Sequence, residues 1–170
     1  MSNLRLINET TATSVSSVDI TDVFSADFDI YKITMVYDNS AGNILKTRMI
    51  NSSGSVVSAT NYDWALLQMR SSGTFQEQRA TNGDYWQMSY EGTAGWNVTT
   101  YILNPFSSSS YTFCLSQSSG YYGAAGLTNL NLKMIGTLKQ TASMSGIKFT
   151  TVGSNFDDFT CRIYGLRVDS

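Results

Sequence analysis

Apolar and polar residues alternate with a period of two along much of the chain. The alternation is clear at Ile33, Met35 and Tyr37, and it returns at Ile147 and Phe149 near the end. Because successive side chains of a β-strand point to opposite faces of a sheet, this period predicts strands with one buried face. We find no helical periodicity of useful length. The pattern therefore predicts an all-β protein.

Turn sequences separate the alternating stretches at even intervals. The segments "DNSAGN", "SSGSVV" and "NPFSSSS" combine residues that favour tight turns, and the single proline, Pro105, lies in the third. One stretch, "NYDWALLQMRSSG", fits a short helix through Trp64 and Leu67 or a strand through Trp64 and Leu66, and the surrounding rhythm favours the strand. The even spacing predicts an antiparallel β-sandwich, jelly-roll-like, of about eight strands in two packed sheets.

The predicted strands form one domain. At 170 residues the chain is long enough for a single core. The Ser- and Thr-rich start predicts a loosely held N-terminal arm at 1–25, followed by the jelly-roll-like domain at 26–170. The strands on either side of "DNSAGN" are expected to pair as a hairpin, and so are the last two strands, "GIKF" and "FTCRIYGL".

Composition and charge exclude several kinds of partner. The net charge is −2, and the few Lys and Arg residues are scattered singly. Phosphate binding needs clustered cations, so we expect no nucleic-acid partner. No apolar run reaches the roughly 20 residues of a membrane span, and "MSNLRLINET" lacks the pattern of a signal peptide. We therefore expect no membrane insertion and synthesis in a cytoplasm.

The chemistry of the chain indicates no catalytic site. The sequence has no histidine, which excludes Ser–His–Asp and Cys–His catalysis and histidine-ligated metals. Cys114 and Cys161 lie in strand patterns and are expected as buried thiols, although they could face each other across a sheet. Acidic pairs could in principle serve a glycosidase or bind Ca²⁺, but they fall in turns or arms where solvated side chains are expected. We expect no enzyme, no cofactor and no metal. The acidic pairs are Asp19 with Asp22, Asp27 with Asp29, and Asp157 with Asp158.

Two groups of residues are candidates for an interaction surface. Tyr85, Trp96, Tyr121 and Tyr122 lie near predicted loops or strand ends, and such rings occur both in binding sites and in cores. The arm carries apolar residues that could add as a strand to a neighbouring subunit's sheet, or could belong to a frayed terminus. The arm residues are Leu4, Leu6, Val15, Val18 and Ile20.

Four motifs follow one another in the second half of the chain. They are Asn104 and Pro105 with the serines 107–110, Gly146, Ile147 and Phe149, then Gly153, Ser154 and Asn155, and "IYGL" at 163–166. In this order they resemble those of small virion surface proteins and tail-fibre domains of tailed bacteriophages, particularly marine and cyanobacterial phages. The opening "MSNLRLINETTATSVSSVDITDVF" is also similar to the start of such proteins. The resemblance implies a jelly-roll sandwich exposed on a phage particle.

The resemblance gives two functional expectations. The first is a non-enzymatic virion structural protein, a capsid decoration or cement protein that forms a homo-oligomer such as a trimer and contacts major capsid or tail proteins of the same particle. A shaft-like region before the first firm strand is lacking, which favours this expectation. The alternative is a tail-fibre or receptor-binding protein that engages host cell-surface glycan. Either way we expect the protein on the virion, at the capsid surface or tail, after assembly in the host cytoplasm.

Overall fold

A computed structural model describes residues 3–39, 44–90, 94–122 and 128–166. The regular structure of these residues is entirely β, and none of them belongs to a helix that could span a bilayer. The strands, in chain order, are β1 (Leu4–Val15), β2 (Ser17–Ile20), β3 (Ile30–Asp38), β4 (Leu45–Asn51), β5 (Tyr62–Arg70), β6 (Phe75–Gly83), β7 (Trp86–Gln87), β8 (Ala94–Leu103), β9 (Thr112–Tyr122), β10 (Thr128–Leu138), β11 (Met144–Thr151) and β12 (Phe156–Leu166).

The strands form two antiparallel sheets of unequal size. The large sheet has the order β1-β12-β3-β8-β9-β10-β5-β6, and the small sheet has the order β2-β11-β4-β7. This confirms the antiparallel β-sandwich expected from the sequence. It divides twelve described strands into eight and four, where the sequence indicated about eight in total.

The core lies between the two sheets and is rich in aromatic rings. Phe149 of the small sheet packs on Phe159 of the large sheet with ring centroids 5.7 Å apart. Phe156 lies 5.0 Å from Phe159 and meets Tyr37 edge to face at 5.5 Å. All four side chains are buried, and edge-to-face pairs of this kind add to the stabilisation from apolar burial.

Most of the described part of the expected arm at 1–25 forms two strands of the sandwich, β1 and β2, and is not loosely held. β1 pairs with β12 from Leu4 opposite Leu166 to Val15 opposite Phe156. β2 pairs with β11 in the small sheet, and this pairing buries Val18. Thr and Val are good strand formers, and a strand at a sheet edge needs only one apolar face, so the polar composition is compatible with pairing.

Two expected hairpins are connections between the sheets. β3 pairs with β12 and β8 in the large sheet, while β4 pairs with β11 and β7 in the small one. β11 and β12 are divided in the same way. The predictions were wrong because alternation reports that a strand has one buried face and does not identify its partner. The strand favoured for "NYDWALLQMR" is confirmed as β5.

Both cysteines are buried free thiols, as the sequence indicated. β3 and β8 lie between the strands of Cys114 and Cys161, so the two backbones are three strand spacings apart, roughly 14 Å. That separation excludes a disulfide. Burial raises the pKa of both thiols, that of Cys161 to about 12.

Candidate functional site

The candidate site is the face of the large sheet that points away from the small sheet, which we call the outer face. Strand β9 shows most clearly that large apolar residues lie on this face. Thr112, Cys114 and Ser116 point inward and are buried, while Phe113 and Leu115 point outward and are 42% and 47% exposed. The usual assignment of sides is thus inverted, with the large apolar residues of this strand facing solvent.

Large residues from outside β9 explain why this strand turns small residues inward. A Cβ at Gly136 in β10 would come within 2.7 Å of Trp86 Nε1, so the indole occupies the space that a side chain there would need. Met88 Sδ lies 3.8 Å from the Thr100 hydroxyl, which in turn lies 2.8 Å from the Ser116 hydroxyl. The interior at Gly136, Thr100 and Ser116 is therefore filled by side chains from the small-sheet side, and only small residues fit at these three positions.

Cross-strand pairing aligns the outward apolar side chains in two neighbouring rows. The exposed fractions are 56% for Ile135 and 40% for Tyr101, similar to those of Phe113 and Leu115. All four side chains are therefore in contact with water. We call the two rows together the outer apolar band. The first row is Ala65, Ile135, Leu115 and Tyr101, and the second is Phe113, Leu103, Ile30, Leu166 and Leu4.

A shallow groove of about 470 Å³ runs over the first row between β9, β10, β5 and β6. Ile135 lies in its floor, and Asp63 and Arg79 lie at its rim. The backbone N–H of Asn82 donates to Asp63 at 2.8 Å, and Lys139 Nζ lies 2.9 Å from the same carboxylate. These contacts, the first above all, hold the pKa of Asp63 below its usual range, so the rim keeps its negative charge at neutral pH.

The connection between β8 and β9 extends the apolar surface at one end of the sheet. This segment, "NPFSSSSY", follows directly on the paired residues of the second row. The Ser107 hydroxyl accepts hydrogen bonds from the backbone N–H groups of Ser109 and Ser110 at 3.3 and 3.2 Å, which closes a tight turn. Phe106 and Tyr111 flank the turn and are exposed.

The other end of the outer face is polar. Asn131, Ser119 and Asn97 are cross-strand neighbours there, and they line a second shallow groove of about 460 Å³ together with Gln117. Tyr121 lies at the same end and is exposed. We call this region the outer polar half. Its amides and hydroxyls both donate and accept hydrogen bonds, which is the chemistry that sugar hydroxyls require.

The aromatic residues singled out from the sequence do not lie together. Trp96 is fully buried and packs on Gly120, where a Cβ would come within 2.6 Å of the indole. Tyr85 is half-buried, with Lys46 Nζ 4.3 Å from its ring centroid. Tyr121 alone of the four is placed at an exposed position, and the side chain of Tyr122 lies outside the described residues.

The apolar residues of the expected arm are divided between the two sheets. Val18 and Ile20 are buried in β2, so they contribute to the core of their own chain. Leu4, Leu6 and Val15 lie in β1, and Leu6 is 49% exposed. Only the β1 residues can therefore contact another molecule without unfolding part of the sandwich.

The carboxylates offer no metal site within the described residues. No three or more His, Cys, Asp or Glu side chains come close enough there to hold an ion. Asp19 forms an ion pair with Lys148 at 2.6 Å, while Asp157 and Asp158 are exposed at the start of β12. All three are exposed, as the sequence indicated, but they lie in strands β2 and β12 and not in turns or an arm.

Comparison with known proteins gives little. No family model and no curated protein matches the chain. A solved structure, "Structure of infectious bursal disease virus Gx strain", aligns with 98% of this chain at 13% identity and a TM-score of 0.18. The chain spans 39% of the length of that virus protein, and a likeness at this level carries no conclusion about fold or function.

Proposed function

We propose that this protein is a non-enzymatic structural protein of a bacteriophage particle, a decoration or cement protein that docks on the particle through its outer apolar band. The outer apolar band is the observation that carries the proposal. A sandwich that works alone in water keeps polar side chains on the outside of its sheets, and contiguous exposed apolar surface marks a contact with another molecule.

The band suits docking because it is both apolar and rigid. Ile135, Leu115, Tyr101 and Phe113 lie on three neighbouring strands, so a partner would meet a preformed surface. Burying such side chains fully is worth about 1.5–3 kcal/mol each, and roughly half of that remains to be gained at these half-exposed positions. Burial of these four side chains would offset much of the free-energy cost of the translational and rotational entropy lost on association.

The phage context comes from the sequence. The "NPFSSSS" motif, part of the resemblance to phage surface proteins, forms the turn beside the second row of the band.

Leu115→Arg is expected to weaken binding to particles that lack the protein at least tenfold, because it places a charge in the middle of the band. The fold should be unaffected, since the side chain already faces water. Co-sedimentation with such particles measures the binding. Val36→Arg is the matched control, because Val36 is 52% exposed on the same outer face, between Asn97 and Thr160 and outside the band.

Two outcomes would refute this proposal. Equal binding by wild type and Leu115→Arg would mean that the band is not the docking surface. Failure of the wild-type protein to bind the particles under assembly conditions would refute the decoration function itself.

A second candidate function, glycan binding in a tail-fibre or receptor-binding protein, is favoured by the outer polar half. Tyr121 supplies a ring and Asn131 an amide at the same end of the sheet. We expect Tyr121→Ala and Asn131→Ala each to lower affinity for host surface polysaccharide several-fold in calorimetric titration, with Leu115→Arg binding normally. Absence of any heat of binding for the wild type would exclude this candidate.

A further inference from the structure

We propose that two copies of the chain pair edge to edge through β6, about a two-fold axis, so that their large sheets become one continuous sheet. β6 is the last strand of the large sheet and pairs on one side with β5. No described strand lies on its other side. Charged side chains, above all Lys, or Pro or a very short length usually protect such edges. The sequence "FQEQRATNG" has nine residues with neither Lys nor Pro, and its two charged side chains are of opposite sign.

The hydrogen bonds of the β5–β6 turn show which backbone groups face the open edge. The N–H of Arg70 donates to the carbonyl of Thr74 at 3.1 Å, so these two residues form a hydrogen-bonded pair. Such pairs alternate along an antiparallel ladder, and the even-numbered residues of β6 therefore face β5. Phe75, Glu77 and Arg79 turn their N–H and C=O groups to the open edge.

Two opposite charges lie on this edge without a partner among the described residues. Glu77 stands beside Leu67 and Arg79 beside Ala65, so both side chains are on the outer face, and both are exposed. Neither joins any of the four ion pairs of the described chain. The two charges are spaced by two residues, which is the repeat of one face of a strand.

Charge selects one register for pairing β6 with a second β6. Antiparallel pairing centred on Gln78 places Glu77 opposite Arg79 of the second copy and Arg79 opposite its Glu77, which gives two reciprocal ion pairs. The same register matches the outward backbone groups of the two strands. A centre at Glu77 or at Arg79 would set like charges against each other, and such pairs are destabilising.

The flanking residues also fit this register. Phe75 is 71% exposed, the highest value among the large apolar residues described, and pairing places it opposite Thr81 of the second copy. The regular register with β5 ends at Ala80, and Asn82 adopts a positive φ of 56°, so Thr81 is the last residue before the strand changes direction. The pairing therefore uses residues 75–81 and covers the most exposed aromatic ring among the described residues.

The two-fold axis of such a pair is perpendicular to the sheet, so both outer faces lie on the same side. A dimer would present two outer apolar bands to one surface, and binding at both would raise the apparent affinity through effective concentration. This consequence rests on the proposed function, whereas the pairing itself does not.

Sedimentation velocity of the full chain, with no particle present, tests the pairing separately from docking. We expect a dimer for the wild type and at least a tenfold higher dimer dissociation constant for Glu77→Arg and for Arg79→Glu. The double variant Glu77→Arg/Arg79→Glu should dimerise like the wild type, because the exchanged charges again face each other. Asp157→Arg, an exposed charge reversal on β12, should have no effect.

Crosslinking checks the register even if a charge variant folds poorly. Gln78→Cys should form a disulfide between copies under mild oxidation, because a non-hydrogen-bonded pair brings the two Cα atoms to about 4.5 Å. Gln76→Cys should not, since it faces Ala80. A monomeric wild type, or a dimer that neither single charge reversal weakens and Gln78→Cys does not link, would overturn the pairing.

Discussion

Replacing Trp96 with alanine is expected to lower the free energy of unfolding by about 3–5 kcal/mol, the usual cost of removing a fully buried indole. The ring has no exposed area and lies against Gly120, where even a Cβ would come within 2.6 Å. Because Gly120 has no side chain that could move into the space, the cavity would stay largely open. A cavity that cannot collapse gives the upper end of this range.

Urea denaturation and thermal melting measure this effect. At 2–4 °C per kcal/mol for a chain of this size, we expect the melting temperature to fall by about 6–20 °C. Tyr121→Ala on the adjacent strand is the matched control, since it removes an exposed ring and should change stability by less than about 1 kcal/mol. Unchanged stability in Trp96→Ala would contradict the buried position and return Trp96 to the surface that its sequence context suggested.

Trp96 also illustrates what sequence reasoning could determine. Its neighbours "TAGWNV" are those of a strand end, and the alternation correctly predicts a strand. Whether the ring points inward depends on Gly120, which lies on another strand and is recognisable as its partner only after the two strands are paired. Periodicity is local information, while the choice between core and surface was made here by a residue distant in sequence.

The outer apolar band could not be predicted for the same reason. Its second row joins Phe113, Leu103, Ile30, Leu166 and Leu4, which are spread over nearly the whole chain and meet only through pairing. One signal was present in the sequence. In "YTFCLSQSS" the two sides of the strand are of unequal size, with Ser, Thr and Cys on one and Tyr, Phe and Leu on the other. The expected burial of Cys114 already placed the small side inward, and the exposure of Phe113 and Leu115 follows from it.

The assignment of strands to sheets was beyond the sequence because the two sheets share one pattern. β11 and β12 both alternate, and both bury aromatic residues such as Phe149 and Phe159. Their connection, "VGSN", could close a hairpin or cross between sheets. The crossing is determined by the partners of each strand, since β12 lies between β1 and β3 while β11 lies between β2 and β4.

Alkaline pH is expected to unfold this protein, because four buried groups are neutral only while protonated. Burial raises the pKa of Tyr37, Tyr62, Cys114 and Cys161. Tyr62 also donates its hydroxyl proton to the carbonyl of Val57 at 2.9 Å, a hydrogen bond that needs the protonated form. In the unfolded chain the same groups lose their protons near pH 8.5 for the thiols and pH 10 for the phenols.

The sign of the effect follows from the protons bound in each state. Below about pH 8 both states are protonated at these groups and the stability is fully present. Above that pH the unfolded chain binds fewer protons than the folded one, so stability falls by about 1.4 kcal/mol per pH unit for each group that titrates. The loss continues as pH rises towards the folded pKa values, which for Cys161 is about 12.

At pH 11 the sum of these losses, roughly 9 kcal/mol, is comparable to the whole stability of a typical domain. Urea titrations at pH 8, 9, 10 and 11 should therefore show a falling midpoint and unfolding near pH 10–11. In Cys114→Ala/Cys161→Ala the fall should begin only near pH 10, because the phenols alone remain. A midpoint that stays constant to pH 11 in the wild type would mean that these four side chains reach solvent. That result would contradict the close packing of the interior, which is also the reason that the large residues of β9 face outward.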